Sequence, residues 1–172
     1  MSLMTDIITV KNLFSSEERE KIDSLFNNAN WLFERTSGTD PLEIVFWGAR
    51  LDSYDGIRLF KDKIESGIKK KVEITSIVAN GQSHSQCGIW HQDPHDKNDT
   101  HSCFTMVYFP YEWSPEYGGH LMIQSNEIIS ILPEFNKAVI FNSYLYHMGL
   151  EPTVHCKKQR VSIACVFKVV NE

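Results

Sequence analysis

Two periodicities of apolar residues divide this chain. Asp6-Ile7-Ile8-Thr9-Val10 is a short β-branched run that predicts a strand. From Ser15 the spacing becomes helical: Ile22, Leu25 and Phe26 share one face up to about Asn28. Ser15 and Glu18 form a capping box, in which each side chain satisfies a backbone N–H that the helix leaves unpaired. Phe14 and Arg19 occupy the flanking staple positions, where arginine makes a weak apolar contact. Trp31-Leu32-Phe33 predicts a second strand, and Thr36 to Pro41 a breaker-rich loop. Asp55-Gly56 opens a second helix with Ile57, Phe60, Ile64 and Ile68 as its apolar stripe. Lys69-Lys70-Lys71 follow at its C-terminal end, where cations suit the macrodipole.

Beyond residue 72 the segments are short, β-branched and separated by turns. Strands are expected near 72–80, 88–93, 104–109, 120–124, 128–131, 138–141, 146–149 and 159–169. So many short strands at this spacing predict a sandwich or barrel. The expected layout is one domain over 1–172. Residues 1–71 form a helical brace with short strands, and 72–169 an all-β body.

Composition narrows the function classes. With 172 residues, 42% apolar and 23% charged, the chain is long and apolar enough for a packed core. A formal net charge of -5 provides no basic excess to hold a phosphate backbone, which argues against a duplex nucleic acid ligand. Cys87, Cys103, Cys156 and Cys165 form no C-x-x-C pair and no disulfide-framework spacing. No apolar run approaches membrane-spanning length, and the N-terminus lacks a signal-peptide pattern. The expected setting is therefore reducing and cytoplasmic, with no membrane partner.

Three elements carry candidate chemistry. His91-Gln92-Asp93 would place an imidazole and a carboxylate on one strand face, although a polar surface strand has the same pattern. His147 follows the apolar run Ala138 to Phe141, where a histidine can equally be a satisfied core residue. Arg160-Val161-Ser162 places a guanidinium and a hydroxyl on one face of an apolar strand. The pattern also suits an exposed edge position, but a buried guanidinium needs an anion: either an internal carboxylate, or a ligand carboxylate held bidentately with help from the serine. Taken together, two histidines and one carboxylate match the facial triad of non-haem Fe(II) oxygenases, which leaves coordination positions open. A 2-oxo acid takes two of them and dioxygen the last, while Arg160 offers a cation for a second carboxylate.

In these residues the sequence resembles the 2-oxoglutarate/Fe(II)-dependent dioxygenases, in their prolyl 4-hydroxylase-like branch. The order His91-x-Asp93, His147, Arg160 is similar to that family's H-x-D…H…R pattern. Thr105-Met106-Val107-Tyr108-Phe109, Trp113 and Gly118-Gly119-His120-Leu121 resemble its central block. Phe109-Pro110 stands where the family has Leu-Asn, and His120 where it often has Glu. The resemblance implies a mainly β fold with N-terminal helices and a double-stranded β-helix (jelly-roll) core. It implies His91, Asp93 and His147 as Fe(II) ligands and Arg160 as partner of the distal carboxylate of 2-oxoglutarate. Ser162 and the Tyr108 hydroxyl would assist, and Lys157 and Lys158 are rivals for the cation role. The implied activity couples decarboxylation of 2-oxoglutarate to succinate and CO2 with hydroxylation by O2, with ascorbate as a supporting reductant. The primary substrate would be a peptidyl residue such as proline, or a small molecule. The alternative is a cupin-like metal protein with other chemistry, or a sensing module without turnover.

The remaining histidines, His84, His95, His101, His120 and His155, have bland readings as loop or turn residues. Asn80 to Gln86 reads as a loop that could rim a substrate entrance. Trp90, Trp113, Tyr144 and Tyr146 read as core or pocket wall.

Overall fold

The computed structural model describes residues 7–37, 44–94, 97 and 102–170. The helix-breaking loop expected over 36–41 is described only at Thr36 and Ser37, and His95 and His101 lie outside the described residues.

Ten strands and two helices follow one another as β1 (Ile8–Lys11), α1 (Ser16–Asn28), β2 (Leu32–Arg35), β3 (Phe46–Arg50), α2 (Tyr54–Ile68), β4 (Val72–Gln82), β5 (Cys103–Phe109), β6 (Leu121–Gln124), β7 (Ile128–Ile131), β8 (Lys137–Asn142), β9 (Tyr146–Gly149) and β10 (Arg160–Val169). Seven strands form one antiparallel sheet in the order β1-β8-β5-β10-β4-β3-β2, and three form a second in the order β7-β6-β9. This is the mainly β architecture with N-terminal helices that the pattern predicts.

The capping box at α1 is complete. Glu18 N–H donates to Ser15 Oγ at 3.3 Å, and Ser15 N–H to the Glu18 carboxylate at 2.7 Å. Phe14 is buried against Phe60 and Tyr108 rather than stapled to Arg19, whose guanidinium lies over the Phe135 ring. At the start of α2, Gly56 N–H donates to Ser53 Oγ. Its end is a left-handed cap at Lys69, after which Val72 N–H donates to Glu65 at 2.9 Å.

All seven residues of β5 are buried because both faces of the strand are covered. Phe104, Met106 and Tyr108 pack with Phe14 and with the helix residues Ile22 and Phe60. Val107 and Phe109 pack with Leu121 and Ile123 of the second sheet. The functional cavity opens on this second face.

The structure corrects the strand expected over 88–93 and adds to the N-terminal layout. Residues 88–93 are extended but form no strand. Their one ladder contact is an isolated bridge from His91 to His147, as expected of a segment bounded by Gly88 and Pro94. A strand that the pattern did not reveal, β3, pairs with β4 from Trp47↔Gly81 to Arg50↔Val78. The short strands of the N-terminal part join the large sheet: β1 pairs with β8, and β3 and β2 extend the other edge.

Candidate active site

His91, Asp93 and His147 converge although His147 lies on a different segment from the other two. His147 is on β9, which pairs with β6 through Ile123↔His147. A reciprocal backbone pair fixes His91 beside it: His91 N–H donates to the His147 carbonyl at 3.0 Å, and His147 N–H to the His91 carbonyl at 2.9 Å. Asp93 N–H donates to the Ser143 carbonyl at 3.2 Å. One donor atom from each of the three side chains lies within 4.8 Å of the others.

The two rings are oriented alike. His91 Nδ1 is 2.9 Å from the Ile89 carbonyl, and His147 Nδ1 is 3.0 Å from the Leu145 carbonyl. A carbonyl only accepts, so each Nδ1 carries the proton and each Nε2 turns its lone pair to the centre. His147 Nε2 is 3.3 Å from Asp93 Oδ2. An imidazole lone pair and a carboxylate oxygen at that distance repel unless a cation or proton lies between them. The Thr105 hydroxyl donates to Asp93 Oδ2 at 2.7 Å and is itself 2.9 Å from Ser143 Oγ. Burial pushes the Asp93 carboxyl up, but the groups around it, the donating Thr105 hydroxyl among them, outweigh burial and hold it below its ordinary value. The donor set of two imidazoles and one ionised carboxylate fits Fe(II).

A cavity of about 650 Å³, counted to its open mouth, joins this centre to Arg160. Arg160 is only 2% exposed. Its Nε donates to the Gly119 carbonyl at 2.5 Å, and its Nη1 to Gln82 Oε1 at 2.8 Å and Ser162 Oγ at 3.2 Å. Among the described residues no carboxylate pairs with it, and burial lowers its pKa to about 10. A desolvated cation with neutral partners only is a receptor for an anion. Gly149 leaves room beside it, since a Cβ there would stand 3.3 Å from Nη1 and 3.4 Å from Nη2. The cavity and its unpaired guanidinium fit 2-oxoglutarate.

Ser162 lines the cavity. Tyr108 does not, which corrects its expected role. It points to the opposite face of β5 from Thr105 and Val107, and its hydroxyl donates to Asn136 Oδ1 at 3.2 Å. Lys157 and Lys158 are exposed in the turn before β10 and do not line the cavity. Among the described residues His91, Asp93 and His147 form the one group suited to a metal, so His84, His120 and His155 keep their bland readings. Trp90, Trp113, Tyr144 and Tyr146 are not part of the cavity wall.

Sequence reasoning missed several contributors. Gln82 ends β4 rather than lying in a loop, and its amide links Arg160 to the Gly149 and Gln86 carbonyls. Thr105 shares a strand face with Val107, a period-2 signal that was available once the site face was known. Arg35, Thr36, Ser37 and Phe46 also line the cavity, and no local pattern marks them.

Comparisons with known proteins agree with this geometry. The 2OG-Fe(II) oxygenase superfamily matches residues 77–168, more than half of the chain. No curated protein matches it. Among solved structures, the chain is similar to a prolyl hydroxylase from Trichoplax adhaerens in complex with a hypoxia inducible factor peptide fragment. That match has 15% identity and a TM-score of 0.68 over 95% of this chain and 83% of that one. A Pseudomonas putida prolyl-4-hydroxylase is similar at 12% identity and TM-score 0.66, over 96% and 93% of the two chains. HygX from Streptomyces hygroscopicus, solved with nickel, 2-oxoglutarate and hygromycin B, is similar at 12% and 0.66, over 95% and 83%. At these identities the likeness shows the fold, the double-stranded β-helix of these oxygenases.

Proposed function

We propose that this chain, which belongs to the 2OG-Fe(II) oxygenase superfamily, anchors 2-oxoglutarate through Arg160 and Ser162 and hydroxylates a second substrate presented at the open end of the same cavity. The observation that carries the reading is Arg160: a buried cation without a carboxylate partner among the described residues, in one cavity with His91, Asp93 and His147.

Fe(II) bound by the triad supplies the redox chemistry that couples dioxygen to decarboxylation of 2-oxoglutarate and oxidation of a C–H bond. The protein's own part is positioning. The carbonyls of Ile89 and Leu145 set both imidazole tautomers, and Thr105 orients Asp93. Gln82, Gly119 and Ser162 hold the guanidinium in place.

Residues 1–172 act as one catalytic domain, which the pairing of β1, β2 and β3 into the sheet that carries Arg160 supports. The primary substrate is a peptidyl residue, proline included, or a small molecule. Solved relatives bound to a peptide and to hygromycin B support both. A reducing, cytoplasmic setting suits four unbridged cysteines. No helix among the described residues is long and apolar enough to cross a membrane.

The test is succinate formation from 2-oxoglutarate with Fe(II) and ascorbate, in air and without oxygen, alongside binding of 2-oxoglutarate to the Fe(II) protein in the absence of oxygen. Oxygen-dependent succinate that disappears in His91→Ala is expected. Arg160→Ala should weaken 2-oxoglutarate binding by roughly 10- to 150-fold, the range of a charge-assisted bidentate contact, while Fe(II) binding persists. Unchanged 2-oxoglutarate affinity in that variant would overturn the assignment of Arg160.

A further inference from the structure

Three arginines lie on or beside the cavity face, and two have an anion assigned. Arg50 pairs with Asp52. Arg160, on the reading above, takes the distal carboxylate of 2-oxoglutarate. Arg35 lines the same cavity, is exposed, and has no carboxylate partner among the described residues.

Its placement is built by the chain rather than left to a mobile side chain. In the β2–β3 pair, Leu32 opposes Gly48 and Phe33 opposes Trp47, but Arg35 opposes Phe46, so Glu34 is the extra residue of a bulge. Phe33 packs on Trp47, with ring centroids 5.3 Å apart. Regular alternation would send Arg35 to the side of Phe33. The bulge turns it instead to the side of Phe46, which lines the cavity. Gly48 completes the arrangement. A Cβ there would stand 2.9 Å from Arg35 Cγ and 3.0 Å from its Cβ, so the arginine stem lies flat across the glycine.

Arg35 also lines an adjoining open groove whose other lining residues include Leu32, Glu34, Gly48, Arg50 and Val78. Gly48 pairs with Asn80 and Arg50 with Val78, so this space lies on the face that carries Ser162, the partner of Asn80. No residue of the second sheet lines it. Arg35 therefore stands where the inner cavity widens onto open sheet, with the Thr36 and Ser37 side chains beside it on the inner side. Glu34 lines only the outer space and makes no ion pair with it.

We propose that Arg35 is a specificity-determining residue that pairs with a carboxylate of the primary substrate. This rests on the oxygenase reading of the site and names the class of its second substrate: a carboxylic acid whose reacting carbon lies on the metal side of its carboxylate. One guanidinium without an opposing charge among the described residues matches one negative charge, and its planar fork matches a carboxylate.

The test uses the Fe(II)- and 2-oxoglutarate-loaded protein without oxygen. The probes are N-acetyl amino acids paired with the corresponding N-acetyl amino acid carboxamides, and binding is followed by ligand-observed NMR. The expected result is that at least one acid binds about tenfold or more tightly than its carboxamide. Arg35→Gln should bring that ratio close to one, and Arg35→Lys should restore part of it. Equal binding of acids and carboxamides, no binding by any acid, or a ratio that survives Arg35→Gln would overturn the proposal. A tenfold loss of 2-oxoglutarate affinity in Arg35→Gln would also overturn it, by placing Arg35 on the cosubstrate. Failure of the wild type to bind 2-oxoglutarate at all would instead be failure of the underlying oxygenase reading.

Discussion

The backbones of His91 and His147 exchange two hydrogen bonds, at 3.0 and 2.9 Å, and their ring centroids lie 4.3 Å apart. One ligand comes from an irregular extended segment and the other from the second sheet. Their separation is therefore set by a backbone ladder rather than by flexible side chains, and the carbonyl on each Nδ1 fixes the rotation that remains.

Thr105 is expected to control metal affinity without touching the metal. Thr105→Val keeps the shape of the side chain and removes the donor to Asp93 Oδ2. Metal affinity should fall by roughly 10- to 100-fold, as for other partners of ligand residues, with thermal stability less affected. Titration with Fe(II) or Co(II) without oxygen, beside a melting curve, measures both. Unchanged metal affinity would show that Asp93 is held in place by other contacts.

Gly119 is expected to position Arg160. Its φ is +70°, and an added Cβ would stand 2.8 Å from Arg160 Cδ. Gly119→Ala combines left-handed backbone strain of about 1–2 kcal/mol with a steric push on the guanidinium. Both a lower melting temperature and weaker 2-oxoglutarate binding are expected. A loss of stability alone would mean that the guanidinium tolerates displacement.

Tyr108→Phe separates the far face of β5 from the cavity. The hydroxyl is buried, burial pushes its pKa up, and it donates to an Asn136 amide that also holds both backbone polar groups of Phe14. The variant should lose about 0.5–1.5 kcal/mol of stability in a urea titration, with 2-oxoglutarate binding as in the wild type. A large loss of cosubstrate affinity would return Tyr108 to the site.

Glu65 predicts a sign for acid sensitivity. The Val72 N–H bond, opposed by desolvation and aided by Lys71 and Lys61, lowers its pKa below 4.5. A lowered carboxyl stabilises the fold above the unfolded pKa, and that contribution disappears as pH falls through the folded value. Between about pH 5 and 3, wild-type stability should therefore fall more steeply than that of Glu65→Gln, which keeps an acceptor for Val72. Parallel stability curves would contradict the lowered pKa.

Much of the site was legible because its signals are local. The Ser15–Glu18 capping box and the α2 stripe through Phe60 and Ile64 lie within single helices, and the structure shows both. The order His91, Asp93, His147, Arg160 could be read because the residue types themselves limit the chemistry. The Arg160–Ser162 alternation placed both on one face, as the Nη1 to Oγ contact shows. The same alternation did not place Tyr108. Period-2 alternation says that Thr105 and Tyr108 point to opposite sides, but not which side holds the cavity.

The sequence by itself determined the two helices and the α1 capping box, most strands of the β body, and the kinds of groups available to hold a metal and a dicarboxylate. These depend on neighbours a few positions away. Tertiary structure alone decided which face of β5 meets the second sheet, that Gln82 rather than a carboxylate holds Arg160, and that β3 joins the main sheet. It also decided that a bulge at Glu34 turns Arg35 into the cavity. The physical reason is that strand pairing joins distant segments. A one-residue change of register there exchanges the two faces of a strand, and nothing in the adjacent residues records that exchange.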